Sequence, residues 1–315
     1  MDVVTLGEAL LLLAATEAGR LEEVRRFDKR TAGAETNVAT GLARLGLRVG
    51  WLSRLGSDSM SRFLLAEFTR AGIDCAQVVQ DPAQRTGFMF KGRVDDGSDP
   101  PIEYHRQGSA ASRFSVHDID AGWLGSARHL HVTGVFPALA PNTLLATHRA
   151  IDIMRERGRT ISFDPNLRPA LWPTAAVMRD TLNHLAARCD WVLPGLEEGR
   201  QLTGCESPQG IATFYRKRGA RLVVVKLGAA GAWFDGDGGR GQLPAFPVER
   251  LVDTVGAGDG FAVGLISALL EGRPLIDAVR RGAWIGARAV QSPGDTEGLP
   301  SRAELDAAHL QGDIE

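Results

Sequence analysis

At 315 residues the chain has room for one large α/β domain or two ordinary ones. Hydrophobic residues at 44% and charged residues at 23% exclude a disordered or fibrous chain. With a formal net charge of −2 and acids and bases intermixed, no basic stripe is left for nucleic acid or an anionic membrane, so neither partner is expected.

The chain opens on an acid, Asp2, rather than a basic signal-peptide region, and its first apolar run, 9–15, is too short to span a bilayer. A β-rich run at 3–7 is followed by a polar-interrupted, β-leaning stretch at 17–29. Helix-like periodicity then covers 36–45, a strand is expected at 49–54, and a helix at 60–71. Residues 86–106 form a second β-leaning stretch without a crossover helix. Beyond it, strands at 129–133, 160–164, 191–194 and 222–227 alternate with helical patterns at 143–157 and 175–187. Such alternation predicts a doubly wound, mostly parallel sheet covered by helices, in a single domain over 1–315. The two irregular stretches fit either a small flap built from both or two surface hairpins. Several strands end at Gly or Pro followed by polar residues, at Gly7-Glu8, Asp164-Pro-Asn166, Pro194-Gly195 and Gly228. In an open α/β sheet those carboxyl ends are where ligands bind. Cys75, Cys189 and Cys205 are widely spaced and form no CxxC, which favours a reducing, cytoplasmic setting over disulfides or a thiolate zinc site. His129, His131 and the other histidines lack metal-ligand spacing and read as structural.

The richest stretch is Asp253-Thr-Val-Gly-Ala-Gly-Asp259-Gly-Phe261, a glycine turn leading into the apolar helical pattern 261–270. Small residues at Gly256, Ala257 and Gly258 let main-chain N–H groups converge on a ligand, and a helix N-terminus there favours a phosphate. Asp259 fits a helix N-cap, or a base that takes a proton from an alcohol while those N–H groups receive phosphoryl charge. No GxxxxGK[ST] occurs, so the Walker A loop is excluded. Spacing alone leaves phosphate binding and a plain glycine turn both open.

This stretch resembles the C-terminal signature DTxGAGDxF of the ribokinase-like (PfkB) carbohydrate kinases. Ala32-Gly-Ala-Glu-Thr-Asn37-Val-Ala-Thr-Gly-Leu-Ala-Arg-Leu-Gly46 is similar to their N-terminal GGxxxNxAxxLxxLG, departing at Ala32. The resemblance implies a ribokinase-like fold with a β-lid, here about 17–29 and 86–106, with Asp259 as catalytic base and Gly256, Ala257 and Gly258 as anion hole. Gly33 and Asn37 then belong to the sugar site. It also implies ATP and Mg²⁺, with a monovalent cation left open, and a homo-oligomer paired through the lid.

Ile102-Glu-Tyr104-His-Arg106-Gln-Gly-Ser109-Ala-Ala-Ser112 is similar to the YYRxGSAxS of 2-keto-3-deoxygluconate kinases. Asp164-Pro-Asn166-Leu-Arg168 resembles their DxNxR, and Pro293-Gly-Asp295-Thr-Glu-Gly298 their GDxEG. Gly33, Tyr104, Arg106, Arg168 and Asp295 are thereby implied to meet the sugar, with Arg168 also screening phosphate. Two arginines suit a small-molecule sugar acid, because a guanidinium forks onto a carboxylate. Arg106 as a solvated lid residue, or Arg168 paired with Asp164, are the bland alternatives. Met89 and His105 stand where the subfamily has tyrosines. A neutral ketohexose, 2-keto-3-deoxygalactonate, or binding without turnover are the rival functions.

Val-Val-Val-Lys226-Leu-Gly228-Ala-Ala-Gly231 looks like the family's strand and turn beside the nucleotide, which places Lys226, Gly228 and Gly231 there. The family's NxxE becomes Gly195-Leu-Glu-Glu198, so Glu198 is implied to reach Mg²⁺ through water. Trp284 fits either a flank for the base or the core.

Overall fold

Apolar runs of four to eight residues, bounded by Gly, Pro or Asp, become the central strands of the computed structural model, which describes residues 1–94 and 100–308. The main sheet runs in the order Gly239–Leu243, Ala232–Gly236, Leu222–Lys226, Trp191–Val192, Thr160–Asp164, His129–Thr133, Val3–Leu6, Val49–Gly56, Ile73–Asp74, with Val78–Asp81 also beside Val49–Gly56. From Leu222–Lys226 to Ile73–Asp74 every pairing is parallel; the two strands at the other edge are antiparallel.

Helices cover both faces, and the strands show it residue by residue. Val3 and Val224 face a core that includes Val38, Leu42, Val263, Ile266 and Val279. Val4, Val223 and Val225 face another that includes Ile151, Met154, Leu182 and Ile211. Each fully buried Val, Leu or Ile in these layers contributes about 1.5–3 kcal/mol. The helix Ala257–Leu270 is buried from Asp259 to Ala268, which explains why its sequence is apolar on every side.

Val3–Leu6 lies between His129–Thr133 and Val49–Gly56, so the order of strands reverses on either side of it. That reversal opens a crevice at the carboxyl ends of the parallel strands. The next strand, Leu10–Ala15, leaves the main sheet and joins a second one of order Phe27–Ala32, Leu10–Ala15, Phe88–Lys91, Ile102–His105. This sheet starts earlier than the expected 17–29 stretch. Residues 17–26 connect two of its strands, and residues 95–99 of the 86–106 stretch lie outside the described residues. Inward-facing Met89 and Lys91 are buried, whereas Phe88 and Phe90 turn outward, with Phe88 stacked on His105 at 4.6 Å and Phe90 edge-on to Phe27 at 5.3 Å.

The antiparallel hairpin 232–243 was not expected from the sequence. Its outer strand, Gly-Arg-Gly-Gln-Leu, is glycine-rich and largely exposed, and lacks the apolar run of a central strand. Among the described residues no helix is long and apolar enough to cross a membrane.

Candidate active site

Two cavities meet at the crevice. One, of about 430 Å³, lies between the second sheet and the carboxyl ends of the main strands. Gly33, Asn37, Tyr104, Arg106, Arg168, Asp259 and Asp295 all line it, with Gly256, Gly258, Lys226 and Glu198. The other, of about 800 Å³, is mostly apolar. It is walled by Gly228, Gly231, Ala257 and Gly258, by Phe246, Val248 and Leu251, and by the small residues Ala283, Gly286 and Ala287 of the next helix. Trp284 instead packs against the core, with Arg288 over its ring at 5.1 Å.

The glycine turn begins the helix earlier than its composition suggests. Gly256, at φ 85°, is the N-cap, and the helix starts at Ala257 rather than near 261. A side chain at Gly256 would strain that φ and lie 2.7 Å from the carbonyl of Asp295. Asp259 therefore occupies the third helical position and is not the N-cap. Its Oδ2 accepts a hydrogen bond from Asn37 Nδ2 at 2.8 Å. The side chain of Asn37 points there because Gly33, at φ 138°, starts its helix one turn earlier. Burial raises the Asp259 pKa to about 8. The nearby Asp164 and Asp295 carboxylates push the same way, against Asn37 and Lys226. Asp295 is also buried and raised, chiefly by burial, and Asn37 donates to it at 3.4 Å.

Charges around the polar cavity are paired in ways the sequence did not disclose. Arg106, only 10% exposed, is no solvated residue: its Nε and Nη2 lie 2.7 and 2.5 Å from Glu8 Oε2. Ser109 donates to the other oxygen of Glu8. Asp164 pairs not with Arg168 but with Lys226, at 2.6 Å. Arg168 donates to the carbonyl of Leu167 and is exposed at the cavity. Lys91 crosses from the second sheet to Asp253, the first residue of the glycine turn, and lies 3.6 Å from Asp295. Tyr104 faces the cavity, 43% exposed, with the Arg106 guanidinium 5.6 Å from its ring. Met89 also lines it, whereas His105 faces outward, so only the first of those two departures touches the cavity.

Glu198 accepts from the N–H groups of Leu167 at 2.8 Å and Gly195 at 2.7 Å, so both its oxygens serve backbone. Among the described residues no cluster of three or more His, Cys, Asp or Glu could hold a metal. The buried histidines share a ladder instead, His129 and His131 each 2.8 Å from Ser162 Oγ.

A buried acid facing a polar cavity, on a glycine-initiated helix whose first residues also border an apolar one, suits transfer of a phosphoryl group to an alcohol. Residues 1–302 match the model of the pfkB family carbohydrate kinases. The chain belongs to that family. It is 48% identical over 306 residues to a 2-dehydro-3-deoxygluconokinase of Bacillus subtilis (strain 168), covering 97% of this chain and 94% of that one. Among solved structures it is similar to a PfkB protein from Polaromonas sp. JS666, with TM-score 0.91, 63% identity, and 98% and 99% of the two chains covered. A putative ribokinase II from E. coli, solved with ATP and Mg²⁺, aligns at TM-score 0.90 and 25% identity, covering 97% and 98%. The pfkB assignment accounts for the fold and for the order of both signatures along the chain.

Two partners were missed by sequence reasoning. Glu8 was visible only as a polar residue after the first strand, and Lys91 carried no signal beyond a charge in a β-leaning run. The apolar wall at Phe246, Val248 and Leu251 had none, since it lies on a loop outside any motif.

Proposed function

We propose that this pfkB kinase transfers the terminal phosphoryl group of MgATP to the terminal hydroxyl of 2-keto-3-deoxygluconate, the compound in the Bacillus subtilis relative's name. One observation supports it most: Arg106 and Arg168 converge on the cavity that holds Asp259. A guanidinium pair there suits a substrate with both a carboxylate and an acceptor hydroxyl.

Asp259 is the base. Asn37 occupies Oδ2, leaving Oδ1 for the sugar hydroxyl, and a pKa near 8 holds the proton once taken. The N–H groups of Gly256, Ala257 and Gly258 receive developing negative charge. Arg168, free of a carboxylate partner among the described residues, screens the phosphates. The salt bridge to Glu8 fixes the Arg106 plane and leaves its Nη1 donors for the sugar carboxylate. Tyr104, Asp295 and Gly33 complete the sugar side. Gly228, Gly231 and the apolar wall hold the nucleotide. When bound, Mg²⁺ supplies charge neutralisation for the nucleotide phosphates. With its oxygens on backbone amides, Glu198 fits a water-mediated role toward that ion and not direct ligation.

The four-stranded sheet is proposed as a lid over the sugar, and its outward aromatic face of Phe27, Phe88, Phe90 and His105 as the surface through which two copies pair. Light scattering that showed only monomer at micromolar concentration would remove that pairing. Three free cysteines fit a cytoplasmic setting.

Glu8 favours one rival, since its carboxylate already balances Arg106 and a neutral ketohexose would then lose less. ADP release measured over a panel of acidic and neutral sugars decides the matter. The reading expects 2-keto-3-deoxygluconate to give the highest kcat/KM. Faster turnover of a neutral ketohexose overturns the substrate, faster turnover of the galactonate epimer narrows it, and no ADP with any sugar overturns the kinase itself.

A further inference from the structure

Among the described residues three line both cavities: Thr254, Gly258 and Lys226. If the nucleotide occupies one cavity and the sugar the other, the transferred group crosses at that junction. Lys226 ends the strand Leu222–Lys226, with its backbone N–H fixed on the carbonyl of Pro194. Its side chain runs to the first turn of the helix Ala257–Leu270. A Cβ added at Gly258 would lie 3.2 Å from the Lys226 ammonium and 3.9 Å from Asp164 Oδ2. The ammonium thus packs directly against the bare backbone of Gly258, with no side chain between the lysine and the helix start.

That placement is electrostatically odd. A helix N-terminus carries partial positive charge, which disfavours a neighbouring ammonium. Two positive features on one spot make sense where an anion is to be held by both. Asp164, 3% exposed, provides the balance meanwhile through its 2.6 Å pair with Lys226. Burial alone would lower the lysine's pKa, but Asp164, Glu198 and Asp259 together hold it above the ordinary value.

We propose that Lys226 is a catalytic residue: its ammonium binds the phosphoryl group in transit, together with the 256–258 N–H groups, and Asp164 holds it in place between turnovers. In the step, the bond from the terminal phosphorus to the ADP oxygen breaks and a bond to the sugar oxygen forms. The hydroxyl proton passes to Asp259, and Lys226 stays protonated throughout. This deepens the kinase reading and rests on it.

The test is Lys226→Met and Lys226→Arg, assayed for ADP release with 2-keto-3-deoxygluconate beside the unmodified enzyme, and for ADP affinity by calorimetry. Losing one preorganised donor to the transition state should lower kcat by ~10²–10³-fold, with ADP affinity and both KM values within about threefold. The arginine variant should recover part of the loss. Lys226→Met strands the buried Asp164, so Lys226→Met/Asp164→Asn is measured too; it should melt near the parent and remain as slow. A kcat within about threefold of the parent in the double variant overturns the proposal. So does a loss confined to the KM for ATP, which would make Lys226 a ground-state nucleotide ligand. Absence of ADP from the unmodified enzyme would instead refute the kinase reading itself.

Discussion

The two cavities that meet at Gly258 are built on opposite principles. Around the polar one buried acids are matched to named partners: Glu8 with Arg106, Asp164 with Lys226, Asp253 with Lys91, Asp259 with Asn37; Asp295, whose Oδ1 has no hydrogen bond among the described residues, is the exception. Around the apolar one Lys226 is the one charged residue among the described residues, and small side chains and a hydrophobic loop make the wall. A charged ligand needs fixed, desolvated donors whose arrangement tolerates little change, because an unpaired buried charge is heavily penalised. A flat aromatic base needs mainly room and apolar contact, which many sequences provide. Substitutions should therefore act sharply and through kcat or specificity on the polar side, and weakly through KM on the other.

The largest effect is expected at Asp259. Asp259→Asn keeps the shape and removes the proposed base, so kcat should fall by ~10²–10⁴-fold with folding nearly intact. The same variant tests the raised pKa. Native Asp259 keeps its proton up to about 8, whereas the unfolded chain releases it near 3.8. In that window the native state binds more protons, so this site's contribution to stability falls as pH rises. Asp259→Asn should remove that slope between about pH 4 and 8 in a melting series. In the parent, kcat/KM for the sugar should climb with pH toward 8 as the base ionises. Near-normal turnover in the variant would void the base assignment, and an unchanged melting slope would void the shift.

Arg106 comes next. A hydrogen bond to a charged group is worth ~1.5–3 kcal/mol, so Arg106→Ala should lower kcat/KM for the sugar acid by roughly 10–150-fold. Neutral ketohexoses should lose much less. Glu8, 2% exposed, would be left unpaired by this change, so Arg106→Ala/Glu8→Gln belongs beside it to separate misfolding from recognition. Equal losses for acid and neutral sugars in both variants would move the substrate toward a neutral hexose.

The same contrast governs what could be read from the sequence. The helix 34–44 with Asn37, the parallel strands and the glycine turn were legible because local pattern and fold agree there: apolar runs, periodic helices, glycine where φ is positive. Less legible was the start of the helix at Ala257, since Gly-Ala-Gly has poor helix propensity and is held helical by burial. The pairing of Asp164 with Lys226 rather than Arg168, and of Arg106 with Glu8, joins residues 62 and 98 positions apart. No local pattern carries such a choice. The strand Leu10–Ala15 reads as a continuous apolar run, without the alternation that marks a half-buried strand.

The smallest effect should come from the apolar wall. Leu251 lines the larger cavity and is 52% exposed, and Val248 beside it is 39% exposed. Large hydrophobic side chains left open at a cavity mouth are placed to be covered by a ligand. Covering the exposed half of a leucine is worth about 1 kcal/mol, half of what full burial gives. Leu251→Ala should then raise the KM for ATP by ~3–6-fold, by the tenfold-per-1.4 kcal/mol relation. Its kcat should hold, because the residue is not among those around Asp259, and the KM for the sugar should hold because it does not line that cavity. Stability should move little, since the side chain is half in solvent already. A fall in kcat comparable to that of the polar-side variants would mean that the apolar wall positions the phosphates as well as the base, and the division between the two cavities would be wrong. An unchanged KM for ATP would place the nucleotide away from Leu251, nearer the turn at Gly228 and Gly231.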